Sequence, residues 1–306
     1  MGLVQSISWN EVKRIRLTSL HGGINHAVVV QENTSNRNIV GLFPDGLITD
    51  AGEKKSITVS GIKTNLSFKE QPSGPDRCYI HFQNQFKEHL FEFIYNQIDS
   101  LFGKFVTYEF VSQDEMDYVP TFLDIKISLL RFTKNASSKC LEEYFGMVPE
   151  QELVTIFMNK LDGELDVNSK MFRTQELRID SLSMGTDVLF NFKGKKLVLK
   201  DTCYTDANIC QFFEHWKSNA NNLESIDLTT KVSLKSVSTI KTEIGIKNIP
   251  SGMSPQPIVG RKVACRTYIS REDGIVAWIY LIPFGFCLRV QDFTEKQMFQ
   301  KYNIEF

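Results

Sequence analysis

The chain lacks most of the short signatures that announce chemistry. It contains no G-x-S-x-G, no H-E-x-x-H, no G-x-x-x-x-G-K-[ST] and no G-x-G-x-x-G, so the nucleophile-elbow, zincin, P-loop and dinucleotide patterns are absent. Its six cysteines (Cys78, Cys140, Cys203, Cys210, Cys265 and Cys287) include no C-x-x-C pair, and none combines with the five histidines at zinc spacing. No catalytic residue, metal or cofactor is therefore expected. Charge of one sign is also missing. The 35 Lys and Arg balance 36 Asp and Glu for a net charge of −1, without the basic excess that marks a nucleic-acid partner. No window offers eighteen apolar residues, so no transmembrane helix is expected. The first residues, MGLVQSISWNEVKRIRL, have no secretory apolar stretch. Dispersed cysteines without a leader point to reduced, buried thiols in a cytoplasmic or nuclear protein.

What is present is a large apolar inventory. Of 306 residues, 42% are hydrophobic and 23 are Phe, which suffices for an aromatic-rich core in one large domain or two smaller ones. Residues 1–83 read as β-rich, with strands at 27–31, 39–43, 55–62 and 78–82 between turn clusters such as Pro44-Asp45-Gly46. Phe86, Leu90, Phe93, Ile94 and Ile98 recur at helical spacing, which predicts a helix over 85–102 with Asn84 as N-cap and Gly103 as its stop. Beyond it, strands at 105–111, 123–130, 165–167, 177–179, 197–199 and 226–228 alternate with helices at 139–145, 149–161 and 206–218. That order favours a parallel sheet with covering helices. The strand starts Leu177, Leu197 and Ile226 lie 20 and 29 residues apart, and Leu223-x-x-Ile226-x-Leu228 fits a leucine-rich-repeat core. The fold expected is thus mixed α/β: an irregular leucine-rich-repeat-like strand–helix layer, a β-rich N-terminal segment and a C-terminal antiparallel hairpin. The hairpin reads as 263–270 and 275–282 around Arg271-Glu272-Asp273-Gly274, followed by a strand at 286–290 and a helix at 293–302.

Helix 206–218 has Thr205 as N-cap, Asp206 in its first turn, and Ile209, Phe212, Phe213 and Trp216 on one face. Trp216 is read as core rather than as an interface anchor. His89 and His215 sit beside aromatics and are read as packing residues, His21-Gly22-Gly23 as a turn rather than an oxyanion loop, and Lys193-Gly194-Lys195-Lys196 as a solvated turn rather than an import signal. Met1-Gly2-Leu3-Val4-Gln5-Ser6 matches the N-myristoylation pattern at Gly2, with Lys13, Arg14 and Arg16 as the electrostatic signal a single acyl chain requires.

Several blocks taken together resemble a known family. Leu197-Val198-Leu199, Thr205-Asp206, Phe212-Phe213-Glu214-His215-Trp216-Lys217 and Asn222-Leu223-Glu224 are similar to the central block of the type 2 F-box-associated domain of nematode F-box proteins. The run Ile269-Ser270-Arg271-Glu272-Asp273-Gly274-Ile275-Val276-Ala277-Trp278-Ile279 resembles its C-terminal I-x-R-x-D-G-x-x-A-x-I signature. The resemblance covers residues 80–292 and implies an interaction domain over 84–306, derived from the substrate-recognition part of an F-box subunit of a cullin–RING ubiquitin ligase. The F-box that docks a Skp-type adaptor is not found. Only residues 8–20 resemble its last helix and the segment after it, so a bound protein substrate is expected and a Skp-type adaptor is not. A stand-alone binding protein with no ubiquitin link, and an enzyme on an uncommon scaffold, are the alternatives.

Strand alternation locates a candidate binding face. If Leu177, Ile179, Leu197, Leu199, Ile226 and Leu228 face the helices, then Arg178, Val198 and Asp227 face away, flanked by Glu176, Lys196 and Ser225 on one side and by Asp180, Lys200 and Thr229 on the other. Alternating charge on this strip suits a protein better than lipid or nucleic acid.

Overall fold

The computed structural model describes residues 12–20, 24–30, 37–44, 54–59, 61–71, 74–114, 119–121, 123–181, 187–219, 222–234, 236–250, 253, 256–257 and 264–301. The Met1–Ser6 pattern, the His21–Gly23 turn and Val263 lie outside them. The chain folds as two compact units, one of residues 1–133 and 146–151 and the other of residues 134–145 and 152–306.

The first unit contains β1 (Arg14–Leu20), β2 (Ile24–Val30), β3 (Arg37–Pro44), β4 (Lys54–Val59), β5 (Ile62–Gln71), β6 (Gly74–Phe82), α1 (Lys87–Phe102), β7 (Thr107–Gln113) and β8 (Ile125–Arg131). Its strands run in the order β8-β7-β1-β2-β3-β6-β5-β4. Pairing is parallel for β8–β7, β7–β1 and β3–β6 and antiparallel elsewhere. The expected boundary at residues 83/84 falls inside this unit. Three local expectations are corrected here. Residues 14–20, within the stretch likened to the last F-box helix and the segment after it, are a strand, because Ile15, Leu17 and Ser19 are buried while Arg14, Arg16 and Thr18 alternate with them, a period of two rather than 3.6. The single strand expected over 55–62 is two, turned by Gly61 at φ +80°. Asn84 does not cap α1: residues 84–86 form a 3₁₀ turn, and Phe86 takes the cap position without a side-chain hydrogen bond. Gly103 does end the helix, at φ +49°.

Helix α1 buries Leu90, Phe91, Ile94, Tyr95, Ile98 and Phe102, with Phe91 edge-on to Phe82 at 5.4 Å. A charged triad joins β1 to β7. Glu109, almost fully buried, lies 3.1 Å from Arg16 Nε and 3.8 Å from Arg14 Nη1, which favours the register that places Arg16 opposite Glu109. Gln151 is buried as well, and its amide donates to Ser128 Oγ at 2.5 Å and reaches the Ile125 carbonyl at 3.5 Å.

The second unit contains β9 (Ala136–Ser137), α2 (Ser138–Met147, whose last two residues belong to the first unit), β10 (Leu153–Met158), β11 (Leu161–Asp162), β12 (Glu176–Ser181), α3 (Asp187–Asn191), β13 (Lys196–Thr202), α4 (Asp206–Ser218) and β14 (Ser225–Thr230). It continues with α5 (Val237–Glu243), β15 (Lys247–Asn248), β16 (Gln256–Pro257), β17 (Ala264–Cys265), β18 (Thr267–Ser270), β19 (Ile275–Ile282), β20 (Gly285–Thr294) and α6 (Glu295–Lys301). Its main order is β10-β12-β13-β14-β20-β19-β18-β15. The first four strands are parallel and the remainder antiparallel, so the mixed α/β class and the C-terminal hairpin expected from sequence are both present. The helix expected over 149–161 is instead the strand β10. Val154, Ile156 and Met158 are buried and alternate with half-buried Leu153, Thr155 and Phe157, and a β-branched Val-Thr-Ile run favours a pleated surface over a helix. Residues 165–167 are not the expected strand: the chain turns at Val167 and Asn168, with the Asp166 carboxylate accepting from Asn168 N–H at 2.7 Å.

The helical face of this sheet is apolar throughout. Leu177, Ile179, Leu197, Leu199, Ile226 and Leu228 are all at most 2% exposed. Phe212 and Phe213 of α4 pack on Phe286 with ring centres 5.8 and 4.9 Å apart. Gly194 is demanded by contact, since a Cβ there would collide with the Thr174 carbonyl oxygen and the Phe192 ring.

Candidate binding face

Four parallel strands build the candidate site, and their register fixes its pattern. Glu176, Lys196 and Ser225 stand side by side in one row, Arg178, Val198 and Asp227 in the next, and Asp180 beside Lys200 in a third. The two outer faces of a strand alternate residue by residue, so burial of Leu177, Leu197 and Ile226 turns all of these to the opposite side. Arg178, Lys196 and Lys200 are exposed there, and Glu176, Asp180, Val198, Ser225, Asp227 and Thr229 are half-buried. The structure thus brings eight of the nine predicted residues into rows. The ninth, Thr229, falls out of register, because β13 bulges between Leu199 and Thr202. There Asp201 adopts φ +53° and its N–H donates to Thr229 Oγ1 at 3.2 Å.

Three of the strip's six charges, on Glu176, Arg178 and Asp227, are paired within the face. Arg178 holds Glu176 through Nη2 at 2.5 Å and Nε at 2.6 Å. Asp227 accepts from Arg289 Nη2 at 2.7 Å, and Nη1 of the same guanidinium donates to the Ile226 and Leu288 carbonyls at 3.1 and 2.8 Å. At the edge, Lys195 meets Glu224 at 3.2 Å. Among the described residues, Lys196 and Lys200 form no ion pair.

Two depressions share Arg178 and Val198. A groove of about 800 Å³ runs from Glu176 and Lys196 across Ser225 and Asp227 to Trp278, Arg289 and Asp292. A smaller hollow of about 220 Å³ lies over Thr155, Phe157 and Val198, with Asp180 and Lys200 on its rim. Trp278, Arg289, Thr155 and Phe157 were not among the predicted site residues. Arg289 and Trp278 could have been found by carrying the two-residue alternation across β20 and β19, which register Ser225 with Arg289 and Arg289 with Trp278. Phe157 was hidden by the helical reading of its segment. Towards β18–β20 the same face becomes apolar, where Met253, Cys265, Tyr268, Val276, Trp278, Cys287 and Met298 form a closed cluster. The polar strip therefore ends against a wall of core.

The remaining candidate chemistry is structural. His215 and His89 are exposed rather than packed in the core; His215 lies edge-on to Phe190 at 6.3 Å and beside Asn219 at 3.2 Å. Trp216 is fully buried, as expected of a core residue. Cys210 is buried, and that burial, helped by a hydrogen bond to Glu243, pushes its thiol up to about 11. Among the described residues no group of three or more His, Cys, Asp or Glu is placed to hold a metal ion, and no helix is long and apolar enough to cross a membrane. No family model, curated protein or solved structure matches the chain.

Proposed function

We propose that the chain is a non-enzymatic protein-interaction domain, and that it receives its partner on the open face of β12, β13 and β14. The observation that supports this is the face itself: a strip of mixed charge, interrupted by half-buried Val198, that lies over two depressions. Interfaces commonly combine a small apolar centre with a polar rim, and Val198 with Phe157 inside Lys196, Lys200, Asp180 and Arg178 has that composition. The resemblance of residues 80–292 to the type 2 F-box-associated domain makes substrate recognition for a cullin–RING ubiquitin ligase the ancestral role in this reading.

The internal ion pairs decide how to test it. Reversing Asp227 would set two cations together at Arg289 and perturb folding, so the informative positions are Lys196 and Lys200. A photo-crosslinking side chain at Val198 should trap a discrete protein in a cell extract. That product should disappear in the K196E/K200E chain, whose melting temperature should match the parent. An equal yield from a control position at exposed Lys139, or trapping that survives the double reversal, would remove the face from consideration.

A further inference from the structure

The helical side of the second unit's sheet holds a cavity of about 430 Å³, between the end of α3, one face of α4 and the starts of β13 and β14. Leu197 and Ile226 form part of its lining, so strand alternation puts it across the sheet from Val198 and Asp227. Its floor is apolar. Leu197, Phe212, Leu223 and Ile226 are each at most 5% exposed. Phe190 and Phe192 wall the α3 side, and Phe190 meets His215 of α4 edge-on.

Its mouth is polar, with exposed Lys193, His215, Asn219 and Asn222. Among the described residues that line the cavity, Lys193 is the one Lys, Arg, Asp or Glu, and it forms no ion pair with any described residue. The backbone that carries it is fixed. Lys193 N–H donates to the Phe172 carbonyl at 2.8 Å, and Gly194 fits closely against the Thr174 carbonyl and the Phe192 ring. The charges nearby are engaged or directed elsewhere. Lys195 and Glu224 pair with each other at 3.2 Å. Glu214 lies about 100° round α4 from His215, on the side of Cys210. Asp187 begins α3, about 6 Å along the helix axis from Asn191 at the cavity end.

We propose that this cavity binds a small carboxylic acid with an apolar body, its hydrocarbon against Phe212, Leu197 and Ile226 and its carboxylate at Lys193, with His215 and Asn222 beside it. A concave site of a few hundred Å³, mostly apolar with a few convergent polar groups, suits a small molecule. One cation balances one negative charge, whereas a phosphate carries close to two. The two depressions of the open face differ in this respect, since both are lined by charges of both signs. The inference uses the helical side of the second unit and does not depend on protein recognition at the β12–β14 face.

The test is equilibrium dialysis of the full chain against hexanoate, octanoate and decanoate below their micelle concentrations, with decanol and decylammonium as the uncharged and cationic counterparts. Decanoate should saturate a single site. Affinity should rise with chain length by up to about fourfold per methylene, the value of burying one, and decanoate should bind more tightly than decanol or decylammonium. The K193E chain exchanges an exposed attraction for a repulsion and should bind decanoate about five- to tenfold more weakly. Its melting temperature should match the parent, because Lys193 is exposed and unpaired. K104E makes the same charge change in the first unit and should bind decanoate as the parent does. Absence of saturable binding, affinity independent of chain length, or decanol or decylammonium binding as tightly as decanoate overturns the proposal. So does equal decanoate binding by K193E and the parent, or an equal loss in K104E. The ligand series tests the charge preference without any substitution.

Discussion

Trp216 is enclosed completely, and a charged neighbour explains a motif. The Arg271 guanidinium lies 5.9 Å from the indole centre and is itself held by Asp273 at 2.6 Å. The Arg271 hydrogen bond, opposed by slight burial, holds the Asp273 carboxyl below the usual carboxylate range. Glu272 N–H donates to the Lys217 carbonyl at the end of α4. The Arg-x-Asp-Gly run that carries part of the family resemblance therefore builds a turn that clasps α4, rather than a binding site. Trp216→Ala should cost about 3–5 kcal/mol, as for large aromatic truncations in cores, measured by denaturant midpoint. Trp216→Phe should cost much less, because Nε1 has no hydrogen-bond partner among the described residues and none is lost. Sequence showed Trp216 on the apolar face; it could not show that Arg271, 55 positions on, stacks against it, because no local pattern encodes that contact.

Elements were legible where a local signal and the tertiary context agreed. Helix α4 begins and ends where the sequence says, because Thr205 and Asn208 form a capping box and four apolar residues share a face. β10 was misread because a short apolar run fits either period, and pairing with a neighbouring strand decides between them. The start of α6 offers a pH test. Glu295 accepts from Lys247 Nζ at 2.7 Å and from the Tyr268 hydroxyl at 2.7 Å. Burial pushes its carboxyl up, but these hydrogen bonds together with the Lys247 charge and a hydrogen bond to Ser270 outweigh burial and hold it low. Tyr268, buried and bonded to the same carboxylate, is raised above the usual phenol range. A lowered native value means that Glu295 stabilises the fold above the unfolded carboxylate value of about 4.3, and that this contribution fades as pH falls through the native value. Glu295→Gln should lower stability at neutral pH by about 1.5–3 kcal/mol, in the range for hydrogen bonds to charged groups, and should flatten the acid limb of a stability–pH curve. An unchanged acid limb would show that the cluster around Lys247 contributes nothing.

At the scale of the whole chain, the two units are interleaved in sequence: residues 134–145 belong to the second before 146–151 return to the first. A boundary drawn at residues 83/84 had no access to this, since the returning stretch is held by buried Val148 and by buried Gln151, bonded to Ser128 and Ile125. A fragment of residues 1–133 lacks that amide and leaves the Ser128 hydroxyl buried without it. It should be less resistant to proteolysis than residues 1–151, by a factor corresponding to about 0.5–1.5 kcal/mol for each buried hydrogen bond lost; equal protection would mean that 146–151 is dispensable. The parallel pairing of β1 with β7 has a further consequence, in time rather than in space. β1 emerges from the ribosome early and can close its hairpin with β2 at once, but its other edge has no partner until Thr107–Gln113 has been made. At ordinary elongation rates that interval is on the order of ten seconds. Throughout it the nascent chain exposes one bare strand edge, and Arg14 and Arg16 on that edge wait for Glu109 as charges that resist pairing with a neighbouring nascent copy.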